Sequence, residues 1–139
     1  MIIGIVSGYF NPLHKGHLEY ICNAKYQCDF LIAIINNDLQ VELKGSKKFM
    51  DEKHRAFIIS SIKWIDHVCI SEDNDKTVCK TIENIYDIYK DHKEIKFFNS
   101  GDRIENNTES KEIILCKKLG IKYVEINLPK LYSSSDLIK

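Results

Sequence analysis

The stretch Gly8-Tyr9-Phe10-Asn11-Pro12-Leu13-His14-Lys15-Gly16-His17 is the part of this sequence best equipped for chemistry. His14 and His17 stand three residues apart, so at the start of a helix both imidazoles project to the same side. The first turn of a helix carries backbone N–H groups without intrahelical partners, and its dipole favours an anion. Gly16 removes a side chain that would block a phosphate, and Gly8 gives the same access at the end of the preceding strand. Imidazoles placed there can donate hydrogen bonds to phosphate oxygens whose charge grows during displacement at phosphorus. A phosphate acceptor is its own nucleophile in such a step, so catalysis reduces to alignment and charge stabilisation. Either histidine alone would read as a solvated surface residue. The signal is the spaced pair with its glycine, directly after an apolar strand. Two histidines one turn apart can also hold zinc, but that needs further ligands, and no nearby cysteine or carboxylate has suitable spacing.

Three further segments suit anions. Lys44, Lys47 and Lys48 share a loop with Gly45 and Ser46; together they could neutralise part of a triphosphate and an acceptor phosphate, or form an ordinary solvated loop. Tyr132-Ser133-Ser134-Ser135-Asp136 offers hydroxyls and N–H groups at a helix start, suited to phosphate oxygens or simply to capping. In Ser100-Gly101-Asp102-Arg103 the glycine permits a tight turn, Asp102 can accept from an exocyclic amine and Arg103 can pair with a phosphate. A turn carrying a surface ion pair is the simpler alternative there.

These segments need elements to place them. Ile2–Val6 and Phe30–Ile35 read as strands buried on both faces, His67–Ile70 as a short third strand, Ile95–Phe98 as a fourth and Tyr123–Ile126 as a fifth. Between them fall helical patterns: His17–Tyr26, a helix capped by Asp51 with Ile58, Ile59 and Ile62 on its face, a stripe of Val78, Ile82, Ile85, Tyr86 and Tyr89, and Glu109–Leu119. Residues Asn36–Met50 read as a polar, lysine-rich loop, and the serines at 133–135 as the start of a last short helix. Strand and helix alternate throughout, which predicts a parallel α/β sandwich. In such a sheet ligands bind beyond the carboxyl ends of the strands, where all four candidate segments fall.

The 139 residues fit a single domain, 1–139, with 44% hydrophobic residues. Lysine plus arginine and aspartate plus glutamate each total 20; a dedicated nucleic-acid binder would carry a basic excess. The longest apolar run, Phe30–Ile35, falls far short of the roughly 20 residues that span a bilayer. Met1 leads into Ile2 without a basic segment or small-residue cleavage site, so a cytoplasmic protein is expected. The five cysteines are odd in number and lack CxxC spacing, which favours reduced thiols.

The GxFxxxHxGH pattern of residues 8–17 resembles the HxGH nucleotidyltransferase superfamily, and specifically its cytidylyltransferases of the glycerol-3-phosphate type. The resemblance takes in the lysine-rich loop, Glu52-Lys53-His54-Arg55, Asp66, Gly101-Asp102 and the closing serine cluster. It implies a Rossmann-like nucleotidyltransferase fold, a five-stranded parallel sheet with helices on both faces. It implies transfer of CMP from CTP to a small phosphorylated alcohol or sugar, with release of pyrophosphate. Adenylyltransferases share the superfamily, so ATP in place of CTP is the alternative, and a non-catalytic nucleotide-binding module is a third.

Position by position, the resemblance implies that Gly8, Tyr9, Phe10, His14, Gly16 and His17 surround the triphosphate, with both histidines catalytic. Lys44 matches the lysine that binds the acceptor phosphate, Lys47 takes the place of a nucleotide-binding lysine, and Lys63 falls where the family has a catalytic-site arginine. Asp102 and Arg103 would lie near the base, and Ser133, Ser134 and Ser135 near the terminal phosphates. Magnesium bridging the triphosphate oxygens and a homodimer are implied as well. The family's usual threonine and aspartate in the first loop are Tyr9 and Asn11 in this chain, and the arginine that opens the closing signature is absent, with Lys130 nearby. The segment Arg103–Glu109 also departs from the glycerol-phosphate pattern, which bears on the acceptor.

Overall fold

A computed structural model describes residues 1–92, 94–100 and 110–127. Asp102, Arg103, Lys130 and Ser133–Ser135 lie outside the described residues. Five strands form one parallel sheet: β1 (Ile2–Gly8), β2 (Phe30–Ile35), β3 (His67–Ile70), β4 (Glu94–Ser100) and β5 (Lys122–Ile126). Their spatial order is β3-β2-β1-β4-β5. The chain runs outward from β1 to β3 on one side, then crosses back to build β4 and β5 on the other. The neighbours β1 and β4 therefore mark the point where the order reverses, and the crevice beyond their carboxyl ends is where an open α/β sheet binds ligands.

Alternation along the strands feeds two cores. Ile3, Ile5, Ile32, Ile34 and Phe97 face one side, where α4 (Cys79–Tyr89) brings Ile82 and Ile85 and α5 (Lys111–Leu119) brings Leu115 and Cys116. Val6, Leu31, Ala33, Ile35 and Phe98 face the other, covered by Tyr20, Ile21 and Ala24 of α1 (Lys15–Lys25) and Ile59 of α3 (Glu52–Ser60). A strand buried on both faces has no polar alternation to show, and β2 reads as an unbroken apolar run for that reason. The doubly covered five-stranded sheet predicted from the alternation is present.

One expectation is corrected. Within the supposed loop 36–50 lies a seven-residue helix, α2 (Asp38–Lys44). Asn37 accepts from the Gln40 N–H at 2.9 Å, and Gln40 Oε1 accepts from the Asn37 N–H at 3.0 Å. This reciprocal cap starts the helix, and Gly45, at φ +77°, ends it in a conformation that glycine adopts without strain. Gln40 is fully buried, and its amide also donates to the carbonyls of Asp75 and Thr77, which fastens α2 to the loop after β3.

All five cysteines are free thiols. Burial pushes Cys28 and Cys69 up to about 11 and Cys116 to about 12, so they remain protonated and act as apolar filler. Among the described residues no helix is long and apolar enough to cross a membrane.

Candidate active site

A cavity of about 220 Å³ opens beyond the carboxyl ends of β1 and β4, lined by Ser7 and Gly8 of one strand and Ser100 of the other. Its remaining walls come from the loop that follows β1, from His14, His17 and Tyr20, and from Lys44 at the end of α2. Of the residues singled out for chemistry, Gly8, Tyr9, Phe10, His14, His17 and Lys44 thus meet at the topological switch point.

The histidines are built into the start of α1 more tightly than their spacing suggests. His14 is the N-cap, and its Nδ1 accepts the Gly16 N–H at 3.0 Å. The N–H of His14 donates in turn to Nδ1 of His17 at 3.1 Å. This is a capping box made of imidazoles, the reciprocal arrangement that serine and glutamate usually form. The rings stack with centroids 3.8 Å apart and planes inclined by 27°. Because each Nδ1 is occupied as an acceptor, each ring carries its proton on Nε2. Burial lowers the pKa of His14 below its ordinary 6.5, which keeps it in this neutral form at pH 7.

The same bonds refine the expected anion site. The N–H groups of His17 and Leu18 both reach the His14 carbonyl, at 3.0 and 3.2 Å, and that of Gly16 is taken by His14 Nδ1. The first turn spends these donors on its own cap. A phosphate at this helix end would meet imidazole Nε2–H groups in their place, with the helix dipole behind them.

Gly8 serves a different purpose from the one its position suggests. A Cβ there would lie 2.8 Å from Phe10 Cζ, so the space over this glycine holds the Phe10 ring. Phe10 is buried, at φ +48°, in a region that bulky residues rarely occupy. Its ring meets His17 edge-on, with centroids 5.1 Å apart. Phe10 is therefore a packing residue that backs His17, although it borders the cavity.

Of the lysines, Lys44 reaches the cavity, with its ammonium 4.4 Å from the centre of the Tyr9 ring. Lys47 does not line it; its ammonium lies over Phe49, 5.6 Å from the ring centre. Lys63 is not brought to the site. It sits between α3 and β3, beside Trp64, in a turn whose Asp66 exchanges hydrogen bonds with the Leu31 backbone at the beginning of β2. That is the opposite end of the sheet from the cavity. Lys63 follows the end of α3, and a helix that starts beside the site ends far from it.

Two contributors escaped the sequence. Tyr20 lines the cavity and donates through its hydroxyl to the Phe98 carbonyl at 2.6 Å, and nothing in its sequence position marks it. Arg55 is completely buried. Its guanidinium donates to the carbonyls of Tyr9 (2.9 Å), Asn36 (2.6 Å) and Met50 (3.1 Å), and to the Asp38 carboxylate at 3.0 Å. One side chain thereby ties the ends of β1 and β2, the start of α2 and the entry to α3. A charged residue among exposed neighbours gives no periodic signal of this role.

Among the described residues no carboxylate lines the cavity, and no group of three or more His, Cys, Asp or Glu is gathered that could hold a metal ion. Among the described residues, the cavity offers an anion the imidazoles of His14 and His17 and the Lys44 ammonium.

The comparisons with known proteins agree with this fold. The chain is 29% identical to an FAD synthase of Picrophilus torridus over 140 aligned positions, covering 96% of this chain and 91% of that protein. An FAD synthase of Aciduliprofundum boonei is 30% identical over 99% of this chain and 84% of its own length. A shorter match, 40% identical over 74 residues, joins 52% of this chain to 16% of the bifunctional protein HldE of Helicobacter pylori. Among solved structures, the lipopolysaccharide core biosynthesis protein of Thermoplasma volcanium shares the fold, with a TM-score of 0.70 at 23% identity over 94% of this chain and 98% of that one. So does a bifunctional NMN adenylyltransferase/ADP ribose pyrophosphatase of Francisella tularensis, with a TM-score of 0.65 at 18% identity over 92% of this chain and 37% of that one. The model of the cytidylyltransferase-like family matches residues 5–139. With both histidines, their glycine and the sheet that presents them in place, the chain belongs to the cytidylyltransferase-like family of nucleotidyltransferases.

Proposed function

We propose that this protein is an adenylyltransferase, joining the α-phosphate of ATP to the phosphate of a small acceptor and releasing pyrophosphate. The observation that carries this reading is the match to FAD synthases along nearly the whole of both chains. FAD is a riboflavin phosphate joined through a pyrophosphate link to AMP, so making it from FMN is adenylyl transfer to a phosphorylated acceptor.

In this mechanism an oxygen of the acceptor phosphate attacks the α-phosphorus, and the bond from that phosphorus to the β-phosphate oxygen breaks. The Nε2–H groups of His14 and His17 donate to the phosphate oxygens as charge moves onto them, at a site already built before reaction. Lys44 holds the acceptor phosphate in line. Magnesium enters as part of the substrate, on the triphosphate oxygens, as such ions usually do. Asp102, Arg103 and Ser133–Ser135 are proposed to complete the nucleotide site on the strength of the motif alone.

Cytidylyl transfer from CTP is the second reading, favoured by the family model. Pyrophosphate release separates the two, with ATP and CTP offered in parallel with magnesium against FMN, hexose 1-phosphates, glycerol 3-phosphate and phosphocholine. Release with ATP and one acceptor is the expected result. Release with CTP alone would replace the adenylyl reading, and silence with both nucleotides would remove transferase activity on this panel.

A further inference from the structure

Tyr9 and Asn11, the two departures from the family pattern in the first loop, reach toward the same distant stretch of chain. Asn11 Nδ2 donates to the Lys47 carbonyl at 2.7 Å, and its Oδ1 accepts the Phe49 N–H at 2.9 Å. The partners fix the amide orientation, since a carbonyl can only accept and an N–H only donate. An ionised aspartate, which has no donor, would keep the bond to Phe49 and set a charged oxygen against the Lys47 carbonyl. Three residues upstream of that carbonyl, the Lys44 ammonium rests over the Tyr9 ring, 4.4 Å from its centre. A threonine offers no ring to hold it.

The surrounding anchors show what these contacts add. The end of α2 is closed by the N–H groups of Gly45 and Ser46, which bond to the carbonyls of Glu42 and Val41. The far end is held where Arg55 bonds the Met50 carbonyl. Between them, the hydrogen bonds to the backbone of Lys47 and Phe49 from across the chain come from Asn11.

We propose that Asn11 and Tyr9 are positioning residues, fastening the lysine segment 44–49 beside the cavity before substrate arrives, so that Lys44 already stands at the acceptor-phosphate position. This rests on the assignment of Lys44 to the acceptor under the proposed function. A threonine at position 9 would lose the ring contact to Lys44, and an aspartate at position 11 would lose the bond to the Lys47 carbonyl. The consequence of the fastening is that acceptor binding does not have to supply the ordering of the segment.

Limited trypsin digestion of the full chain, followed by mass spectrometry, tests the fastening without any substrate. Lys44, Lys47 and Lys48 are exposed, but cleavage after them requires the segment to open locally. Asn11→Asp should be cut after Lys47 and Lys48 about tenfold faster than the natural chain, the worth of roughly one hydrogen bond. Tyr9→Thr should be cut faster after Lys44, while Tyr9→Phe, which keeps the ring, should behave as the natural chain does. Thermal midpoints should stay within a few degrees throughout. Equal cleavage of Asn11→Asp and the natural chain would overturn the proposal.

The acceptor arm uses FMN and a hexose 1-phosphate as probes, with ATP and magnesium. Both Asn11→Asp and Tyr9→Thr should raise KM for the acceptor severalfold, by a larger factor than either changes KM for ATP. Faster cleavage with an unchanged acceptor KM would overturn the acceptor role. If neither probe turns over with the natural chain, adenylyl transfer to them fails, and the digestion still decides whether the segment is fastened.

Discussion

The imidazole of His14 lies against that of His17 at 3.8 Å between ring centres, and each Nδ1 is held by a backbone N–H, that of Gly16 at His14 and that of His14 at His17. The pair is therefore structural and chemical at once, because the bonds that begin the helix also fix which nitrogen bears the proton. The two roles can be separated by choosing substitutions that keep the cap.

Asparagine is a strong N-cap and glutamine is the capping-box partner, so His14→Asn and His17→Gln should preserve the start of α1. Each removes the imidazole Nε2–H, and the amide NH2 that replaces it is not held at the same position by a rigid ring. Turnover in the pyrophosphate assay should fall on the order of 10²–10³-fold in each, with thermal midpoints close to that of the natural chain. His14→Ala should lose turnover similarly and also about 1 kcal/mol from the missing cap. Near-natural turnover in both cap-preserving variants would remove the histidines from the chemistry.

A pH dependence follows from the same geometry. Burial lowers His14 below its ordinary value of 6.5, so the unfolded chain takes up this proton at a higher pH than the folded one does. The stabilisation is complete above about pH 6.5 and is lost as pH falls through the lower folded value, where a protonated Nδ1 can no longer accept from Gly16. Asp51 acts in a separate, more acidic window. Its carboxylate, held below 3.8 first by the His54 N–H, contributes above that value and ceases to as the pH drops further. Urea melts between pH 7.5 and 5.5 should show falling stability for the natural chain and a flatter profile for His14→Asn. Parallel profiles would show that the His14 proton is not linked to folding.

The sheet was legible because parallel strands buried on both faces leave long apolar runs, as at Ile2–Val6 and Phe30–Ile35, and because Asp51 caps its helix by a recognisable side chain. The short helix α2 was not legible by periodicity. Its seven residues carry two buried side chains, too few for a stripe, although Asn37, Gln40 and Gly45 mark both its ends. At the site, the histidine spacing and the resemblance at Lys44 pointed to three residues that the fold brings to one cavity. The packing of Phe10 over Gly8 was not legible, because it depends on a backbone turn at φ +48° that no pattern announces. Arg55 was invisible as a buried group because its partners are carbonyls far apart in the chain.

That buried guanidinium should be costly to remove. Arg55→Met keeps much of the apolar stem and deletes donors to three carbonyls and a carboxylate. The expected loss is about 3–5 kcal/mol, as when one partner of a buried charged network is deleted. Arg55→Lys keeps the charge without the planar fork and should fall between. Chemical denaturation measures both. A loss below about 1 kcal/mol in Arg55→Met would mean that the loops hold their places through packing alone.

The last prediction concerns the contact behind the histidines. In Gly8→Ala the new Cβ would stand 2.8 Å from Phe10 Cζ and 3.1 Å from the neighbouring ring carbons, so the ring has to move. It has little room, since Phe10 is held at φ +48° and its ring abuts His17. Overpacking of this kind costs about 1–3 kcal/mol, and moving the ring should disturb His17 as well, lowering turnover more than the lost stability explains. Phe10→Leu removes the ring atoms that clash. The double variant Gly8→Ala/Phe10→Leu should then be less destabilised than the sum of the two single changes, by a coupling of roughly 1 kcal/mol or more. Additive losses would show that the two residues do not press on one another, and that the glycine is needed for something other than the Phe10 ring.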